Sequence, residues 1–594
     1  DYNVKNSAVV VIRPSTGEIL AMVGSADYWN DEIDGKFNVA ADGLRQPGSS
    51  FKPFTYVTFL AQGHNAAYMF LDVRQAFDQG PGMAPYVPED FSRTYSGPVS
   101  LRDALARSLN IPAVEAMSIA GIDNVLRTAH RMGITTLDKG LQHYGLSLTL
   151  GGGEVKLLDM VYAFTVFDNN GVMYGQPVPA EELRPNFREL NPVAILRVED
   201  RNGNILYQYE QPESRQILEP RLAYLITDII SDRRARIAGF GTPNSLELAN
   251  ERPAAAKTGT TNNFTDNWTV GYTPQIAVGV WQGNKDAEDF MINTTGARGA
   301  SYIWHAMMEY ALKDEPIVPF TRPEGLVEVS VCAVSGMKPN GHCPTRTELM
   351  IPGTEPTEED NIYQVFLVNR ETGKLATIYT PPELVEERVY MVLPPETQDW
   401  INSLPEDRKV DVPPTEYDTI YGPNQAQAEV SVISPTAYSY VRGVFPIIGN
   451  ARGGNFGFFR LVYGKGLNPT EWMQIGPDHG NQVDNNILEF FDTTGLEDGL
   501  YTLQLQVIGQ DQGVRQATMQ FTIDNTPPKV DLTYPTEGSE YTYGVDEWVN
   551  INAEVNVNWI LGGPGEYKFH VIVYDAAGNK TETEPVTIRV VPKN

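Results

Sequence analysis

Apolar positions change their spacing along this chain in a way that divides it into three regions. Near the start, SAVVVIR and EILAMVGS flank the turn PSTG and predict a hairpin. Four stretches then carry apolar residues at a spacing near 3.6: the run from Ser49, SLRDALARSLN, IDNVLRTAHRMG and GEVKLLDMVYAFTVFDNNG. Each predicts a helix. ILRVED and NILYQYE flank RNG as a second hairpin. EPRLAYLITDIISDRRAR predicts one helix, opening with acid and proline and closing in arginines, the polarity that a helix dipole favours. Three strands follow, PAAAKTGTT, NWTVGYTP and QIAVGVWQGN, and then a helix, YIWHAMMEYALKD. Hairpins and helices arriving in blocks give residues 1–318 an α+β fold, helices against an antiparallel sheet.

The pattern then changes twice. Residues 319–425 are rich in proline and acid (PGTEPTEED, TPPELVEE, DVPPTEYD) and read as a linker or small subdomain. From 426 onward the apolar residues alternate with a period of two, as in FGFFRLVYG, YTLQLQVIG, YKFHVIVYD and VTIRVV. These predict two consecutive β-sandwich modules of immunoglobulin type, 426–525 and 526–594. Several domains also suit a length of 594 residues, too long for one core.

Charge and composition narrow the partners. The net charge of −30 comes with no basic stripe, which argues against nucleic acid and against an anionic lipid surface. No run approaches the ~18 apolar residues of a membrane span. The chain opens at Asp1 without a methionine and enters a strand at once, as a fragment or processed chain would; an anchor or targeting segment would lie upstream. The two cysteines, Cys332 and Cys343, bracket the Pro/Gly-rich turn CAVSGMKPNGHC. An oxidising compartment would join them, worth about 3 kcal/mol, and a reducing one would leave two thiols. Zinc would need a second Cys/His pair, which the sequence lacks.

The chemistry concentrates in LRQPGSSFKPFTY, residues 44–56. Ser49 and Lys52 stand three apart at a helix start, so both project from one face. Pro53 falls within the first turn, where amides have no intrahelical partner. The plain alternative is a capping serine and a solvated lysine, and by chance about two S-x-x-K sets should occur in this length. A second does occur, Ser335 to Lys338, beside Gly336 and Pro339 where no helix holds it. Serine becomes a nucleophile only when something takes its proton, and Lys52 can do so only if burial or a neighbouring cation keeps it neutral. Lys257 in KTGT is a candidate cation; this is the only K-[ST]-G in the chain, against roughly 0.1 to 0.2 by chance. Gly259 and the small residues of AAAKTGTT would let a substrate backbone add as a neighbouring strand. Ser108-Leu109-Asn110, the only S-x-N, ends a helix before Pro112. By itself it reads as a helix C-terminus.

SSFK, SLN and KTGT, in that order, resemble the three active-site motifs of penicillin-binding proteins and serine β-lactamases. The flanks NSAVVVIRPSTGEILAMVGS, FNVAADGLRQPGSSFKPF, YGLSLTLGGGEVKLLDMVYAF and DNWTVGYTPQIAVGVWQGN resemble the transpeptidase domain of class A (bifunctional) penicillin-binding proteins. CAVSGMKPNGHCP resembles the segment that often follows that domain. The resemblance covers residues 1–345. It implies a penicillin-binding-protein/β-lactamase-like fold, an antiparallel sheet with helices on both sides, and a D,D-transpeptidase inhibited by β-lactams. Ser49 would be the acylated nucleophile, Lys52 its base, Ser108 a proton relay, Asn110 a substrate-orienting amide and Lys257 an electrostatic support. Thr258, Gly259 and Thr260 would bind substrate, the threonines at its terminal carboxylate, with the N–H groups of Ser49 and Thr260 as oxyanion hole. Such a site uses no metal and no cofactor. Its partners would be peptidoglycan stem peptides, lipid-linked precursor and glycan strands, met outside the cytoplasmic membrane.

Two other readings stand beside it. A carboxypeptidase or β-lactamase would pass the acyl group to water; against it, 149 positions separate Ser108 from Lys257, and no E-x-x-L-N segment supplies a deacylating glutamate. A catalytically silent cell-wall binding protein would keep the fold and lose the motifs, which here are intact.

Overall fold

The computed structural model describes every residue except 1, 80–84, 91–93, 141–142, 262, 286–289, 421–428, 531, 533–534, 544–547, 553–555, 561–563 and 593–594. The chain divides into two compact units, one of Asp1–Gln79, Pro85–Tyr363 and Leu393–Val410, the other of Gly80–Ala84, Gln364–Val392 and Asp411–Asn594.

At the centre of the first unit lies a five-stranded antiparallel sheet. Its order is Ala255–Thr260, Asp266–Thr273, Ile276–Gly283, Asn6–Arg13, Glu18–Val23. Strand alternation explains the unbroken run in SAVVVI: both faces are covered. Ala8, Val10 and Ile12 join a core with Leu157, Val161 and Phe164 of the Leu157–Asp168 helix. Val9 and Val11 join a second core with Ala300, Trp304 and Met308 of the Ala300–Ala311 helix. Gly279 sits between Val10 and Val270 on the neighbouring strands. A Cβ there would stand 2.1 Å from Val161 Cγ2, so glycine admits the Leu157–Asp168 helix to the sheet. The α+β fold is therefore as the pattern predicts, and the helices on both faces are as the resemblance implies.

One predicted helix is two. EPRLAYLITDIISDRRAR forms Pro220–Ser231 and Arg233–Phe240, broken at Asp232, which is extended (φ −71°, ψ 102°) and accepts from the N–H groups of Arg234 and Ala235. Aspartate is a strong N-cap, and it restarts the helix instead of continuing it. The arginines thus open a helix and do not close one.

The region 319–425 is shared between the units. Val327–Cys332 and Thr345–Met350 pair antiparallel, and Cys332 and Cys343 are joined as a disulfide with their Cα atoms 5.6 Å apart. Glu348, buried on the second of these strands, accepts from Arg102 Nη2 at 2.6 Å, and the same nitrogen reaches Asp228 at 2.6 Å. The ladder is thereby pinned to the helices Leu101–Arg107 and Pro220–Ser231. Trp400 lies where a Cβ on Gly97 would be and donates to Tyr95 O at 3.2 Å, so residues 393–410 also pack in the first unit. The boundary read at 425/426 lies outside the described residues.

In the second unit, a three-stranded sheet (Val430–Ser434, Val444–Ala451, Val483–Asp492) and a five-stranded sheet centred on Phe456–Lys465, Gly499–Gly509 and Val514–Ile523 share one core. Tyr379 donates to Thr518 O at 2.8 Å, placing residues 364–392 against it. A smaller core of Tyr541, Ile588 and Val590 holds the last strands together.

Candidate active site

Three segments distant in sequence meet at the Ala255–Thr260 strand, which lies at an edge of the central sheet. The first is the turn bearing Ser49. Gly48–Phe51 is a 3₁₀ turn leading directly into the Lys52–Ala61 helix, with the Lys52 N–H donating to Ser49 O. Gly48 takes φ +55°, a left-handed conformation that glycine adopts without strain, and a Cβ on it would stand 2.6 Å from Thr260 N. The Ser49 amide is thus carried next to the Thr260 amide. Ser49 is half-buried, whereas Ser50 is buried and spends its hydroxyl on Pro47 O at 2.6 Å. Of the two serines, Ser49 is the one whose hydroxyl is not spent on the described backbone. The second S-x-x-K set behaves as the sequence predicts: Ser335 accepts from the Met337 N–H at 3.2 Å and belongs to no helix.

The second segment closes on Lys52. Its side chain is fully buried, and Nζ donates to Ser108 O at 2.7 Å, Leu109 O at 2.7 Å and Asn110 Oδ1 at 2.8 Å. Burial brings its pKa down to about 7, while Asp90 and then Asp72 oppose that fall. Burial, and not a field from Lys257, is therefore what readies this amine. Ser108 ends the Leu101–Arg107 helix at φ 66°, ψ 34°, a conformation rare for serine. That geometry turns its carbonyl toward Lys52 and its hydroxyl toward Lys257.

Lys257 supplies the third contact. Its Nζ donates to Ser108 Oγ at 2.7 Å and Thr258 O at 2.9 Å. Burial holds its pKa well below that of an ordinary lysine, helped by Lys52 and Arg236. Two donated bonds are what a neutral amine offers, and they leave the Ser108 proton free to be given elsewhere. Alternation along the strand sends Ala255, Lys257 and Gly259 to one face, and Ala256, Thr258 and Thr260 to the other. Thr260 Oγ1 accepts from the Gly296 N–H at 2.9 Å, which directs its own proton away from that amide.

Gly259 has a different reason from the one its sequence suggests. A Cβ there would lie 2.1 Å from Pro47 O, so the absent side chain makes room for the Ser49 turn itself. The contact between Ser49 and Lys52 also differs from expectation. They share a face, but the three bonds of Lys52 go to residues 108–110, and no hydrogen bond ties the Ser49 hydroxyl to another described residue. Catalytic hydrogen bonds often tighten only once substrate is bound.

Sequence reasoning missed the buried and half-buried groups behind this site. Asp72 ends the short Met69–Asp72 strand, Asp90 lies on the loop before Ser96, and Glu115 is on the Ile111–Ala120 helix. Arg236, buried on the Arg233–Phe240 helix, stands behind Lys257, with burial lowering its pKa to about 10. No spacing marks them, because each comes from a different element.

Residues 7–296 match the family model of the penicillin binding protein transpeptidase domain. They form such a domain. Residues 322–365, which include the disulfide, match the penicillin-binding protein 1A C-terminal domain. The chain is 30% identical over 354 residues to penicillin-binding protein 1A of Rickettsia typhi, an overlap of 57% of this chain and 42% of that protein. It is 27% identical over 419 residues to penicillin-binding protein 1A of Escherichia coli K12, covering 60% and 48%. The crystal structure of penicillin-binding protein 1A from Haemophilus influenzae superposes with a TM-score of 0.50 at 26% identity, over 60% of this chain and 54% of that one. The chain spans under half the length of these curated relatives. The β-rich residues beyond 365 lie outside both family matches.

Proposed function

We propose that this chain carries a peptidoglycan D,D-transpeptidase acting through a serine acyl-enzyme. The observation that carries the reading is Ser108 placed between two buried lysines, its carbonyl on Lys52 and its hydroxyl on Lys257, with the half-buried Ser49 in the turn that leads into Lys52. Ser49 Oγ attacks the carbonyl carbon between the two D-alanines of a stem peptide as neutral Lys52 takes its proton. The oxyanion is met by the N–H groups of Ser49 and Thr260, whose segments are brought together at Gly48. As the C–N bond breaks, the Ser108 hydroxyl passes a proton to the departing D-alanine amine and is reprotonated from the Lys52 ammonium, leaving an ester on Ser49. An amine of a second strand then attacks that ester, forms the new amide and returns a proton to Ser49 Oγ. Asn110 orients the peptide amide. Thr258 and Thr260 receive the terminal carboxylate, Lys257 supports the proton transfer, and the open edge of the Ala255–Thr260 strand accepts the peptide backbone.

On this reading β-lactams acylate Ser49 and are held there. The site works on the outer face of the cytoplasmic membrane, on lipid-linked precursor and nascent glycan, with an anchor upstream of Asp1. The disulfide suits that compartment. The β-rich modules after 426 are of immunoglobulin type and act as spacer or recognition surface.

Intact-mass spectrometry after benzylpenicillin tests the assignment. One adduct is expected, absent in Ser49→Ala and retained in Ser335→Ala. An adduct persisting in Ser49→Ala would remove Ser49 from the reaction.

A further inference from the structure

Behind Lys52 lie two aspartates whose hydrogen bonds do not add up unless a proton is counted between them. Asp72 and Asp90 are both buried. Asp72 Oδ2 accepts from the Ser96 N–H at 2.7 Å, and Asp90 Oδ1 accepts from the Asn110 N–H at 2.6 Å. The other oxygens, Asp72 Oδ1 and Asp90 Oδ2, are fully enclosed and have no hydrogen-bond donor among the described residues. The Asp72 and Asp90 carboxyl groups lie close enough to interact, Asp90 adding to the rise that burial imposes on Asp72. A carboxylate can only accept, so two facing carboxylates satisfy neither oxygen, and their charges repel in a buried setting. One proton satisfies both.

The pair is joined to the reaction centre by Asn110. Its N–H is held by Asp90 and its Nδ2 donates to Glu89 O at 2.8 Å, while its Oδ1 accepts from Lys52. All three acceptors around Lys52 belong to residues 108–110. We propose that Asp72 and Asp90 hold a single proton between them and act as positioning residues for Lys52. The monoanionic pair clamps the 108–110 segment and sets how readily the Lys52 ammonium releases its proton to become the base. This rests on the transpeptidase reading for what Lys52 does, and on the hydrogen-bond geometry for the shared proton.

Other charged or titratable groups face the same space. Glu115 comes from the Ile111–Ala120 helix and is pushed up to about 7 by burial; Tyr56 comes from the same helix as Lys52. Arg107 reaches Ser96 Oγ at 2.7 Å, and Lys257 lies across Ser108. Burial, then Asp90, raises Asp72 to about 8, above the value of about 7 for Lys52.

The test uses Asp72→Asn, Asp90→Asn and the double variant of the full chain, with benzylpenicillin acylation measured against pH. In either single variant an amide N–H replaces the shared proton and the remaining carboxylate keeps the charge at minus one. The plateau rate will change, but the midpoint of the limb that rises with pH stays in place. The double variant loses that charge, which had favoured the ammonium, so its midpoint falls by about one pH unit. Midpoints that fall in both single variants and add in the double overturn the shared proton, because the pair then carries two charges. An unmoved midpoint in the double overturns the link to Lys52. Infrared spectroscopy reads the proton independently of activity: a carboxylic-acid carbonyl band is expected to vanish in each single variant, with Glu115→Gln identifying the band of Glu115. A band set unchanged in both single variants also overturns the proposal, even if the double variant does not fold. If the unsubstituted protein is not acylated at all, the transpeptidase reading fails while the infrared result still decides the pair.

Discussion

Burying Lys52 gives its contribution to stability a strong pH dependence, and Lys52→Met exposes it. The folded protein holds this amine at about 7, against 10.5 for an ordinary lysine. Between those values the unfolded chain binds a proton that the folded chain does not. Stability attributable to Lys52 therefore rises with pH, by up to about 1.4 kcal/mol per pH unit, and is at its worst below pH 7. Integrated from pH 7 to pH 10, the change is about 3–4 kcal/mol. Methionine has no such dependence. It also leaves Ser108 O, Leu109 O and Asn110 Oδ1 without their donor, at about 1–3 kcal/mol each, but that cost does not titrate. Relief of Lys257, whose depression Lys52 shares in causing, removes part of the difference. The quantity to measure is thus the difference in unfolding free energy between the two proteins, by denaturant titration at pH 6 to 10. The transition of the first unit is followed through its buried Trp268, Trp281 and Trp304. The original protein should gain on Lys52→Met by at least about 2 kcal/mol from pH 7 to pH 10. A difference that is flat with pH would refute the claim that burial readies this lysine.

Other outcomes follow from single contacts. Gly259→Ala places a Cβ 2.1 Å from Pro47 O, so the Ser49 turn must move, and acylation by benzylpenicillin should fall about 100-fold while thermal unfolding changes little. Lys257→Ala should slow acylation at every pH without moving the alkaline-favoured limb, since burial sets Lys52; a shifted limb in rate–pH profiles would restore Lys257 as its tuner. Arg102→Met leaves the buried Glu348 with less counter-charge and should cost about 3 kcal/mol of first-unit stability in denaturant titrations. Trp400→Ala removes the ring over Gly97 and its bond to Tyr95 and should lower that stability by about 2 kcal/mol, leaving the acylation rate close to unchanged.

What the sequence made legible is what periodicity and local chemistry encode. Apolar runs in both hairpin arms and the 3.6 spacing of GEVKLLDMVYAFTVFDNNG mark a sheet and the helix laid on it, and both are there. Ser49 and Lys52 stand one turn apart because Gly48–Phe51 is a 3₁₀ turn running straight into the Lys52–Ala61 helix, a purely local matter. The split at Asp232 was missed because the apolar spacing continues across it and only a capping side chain marks the break. Gly259 was read for a substrate, yet its neighbour is Pro47, more than 200 positions earlier. Asp72, Asp90, Glu115 and Arg236 carry no signal at all: an acid ending a strand looks like any other until the fold sets it beside a lysine.

The motifs bring the reacting atoms together, and other residues decide their protonation. Two buried lysines joined through one serine would be an unstable arrangement if both were charged, and a charged Lys52 disfavours a proton on Lys257. The number of acceptors breaks the symmetry. Lys52 faces three and has carboxyl groups behind it, which favour its ammonium. Lys257 makes two bonds and has Arg236 behind it, which favours its neutral form. The same three-motif pattern placed over an apolar floor would leave both lysines neutral, and Lys52 would then be a weaker base than its position requires. Burial lowers both lysines, and Asp72, Asp90 and Arg236 set them apart, whereas the geometry of the site follows from Gly48, Gly259 and the left-handed turn at Ser108.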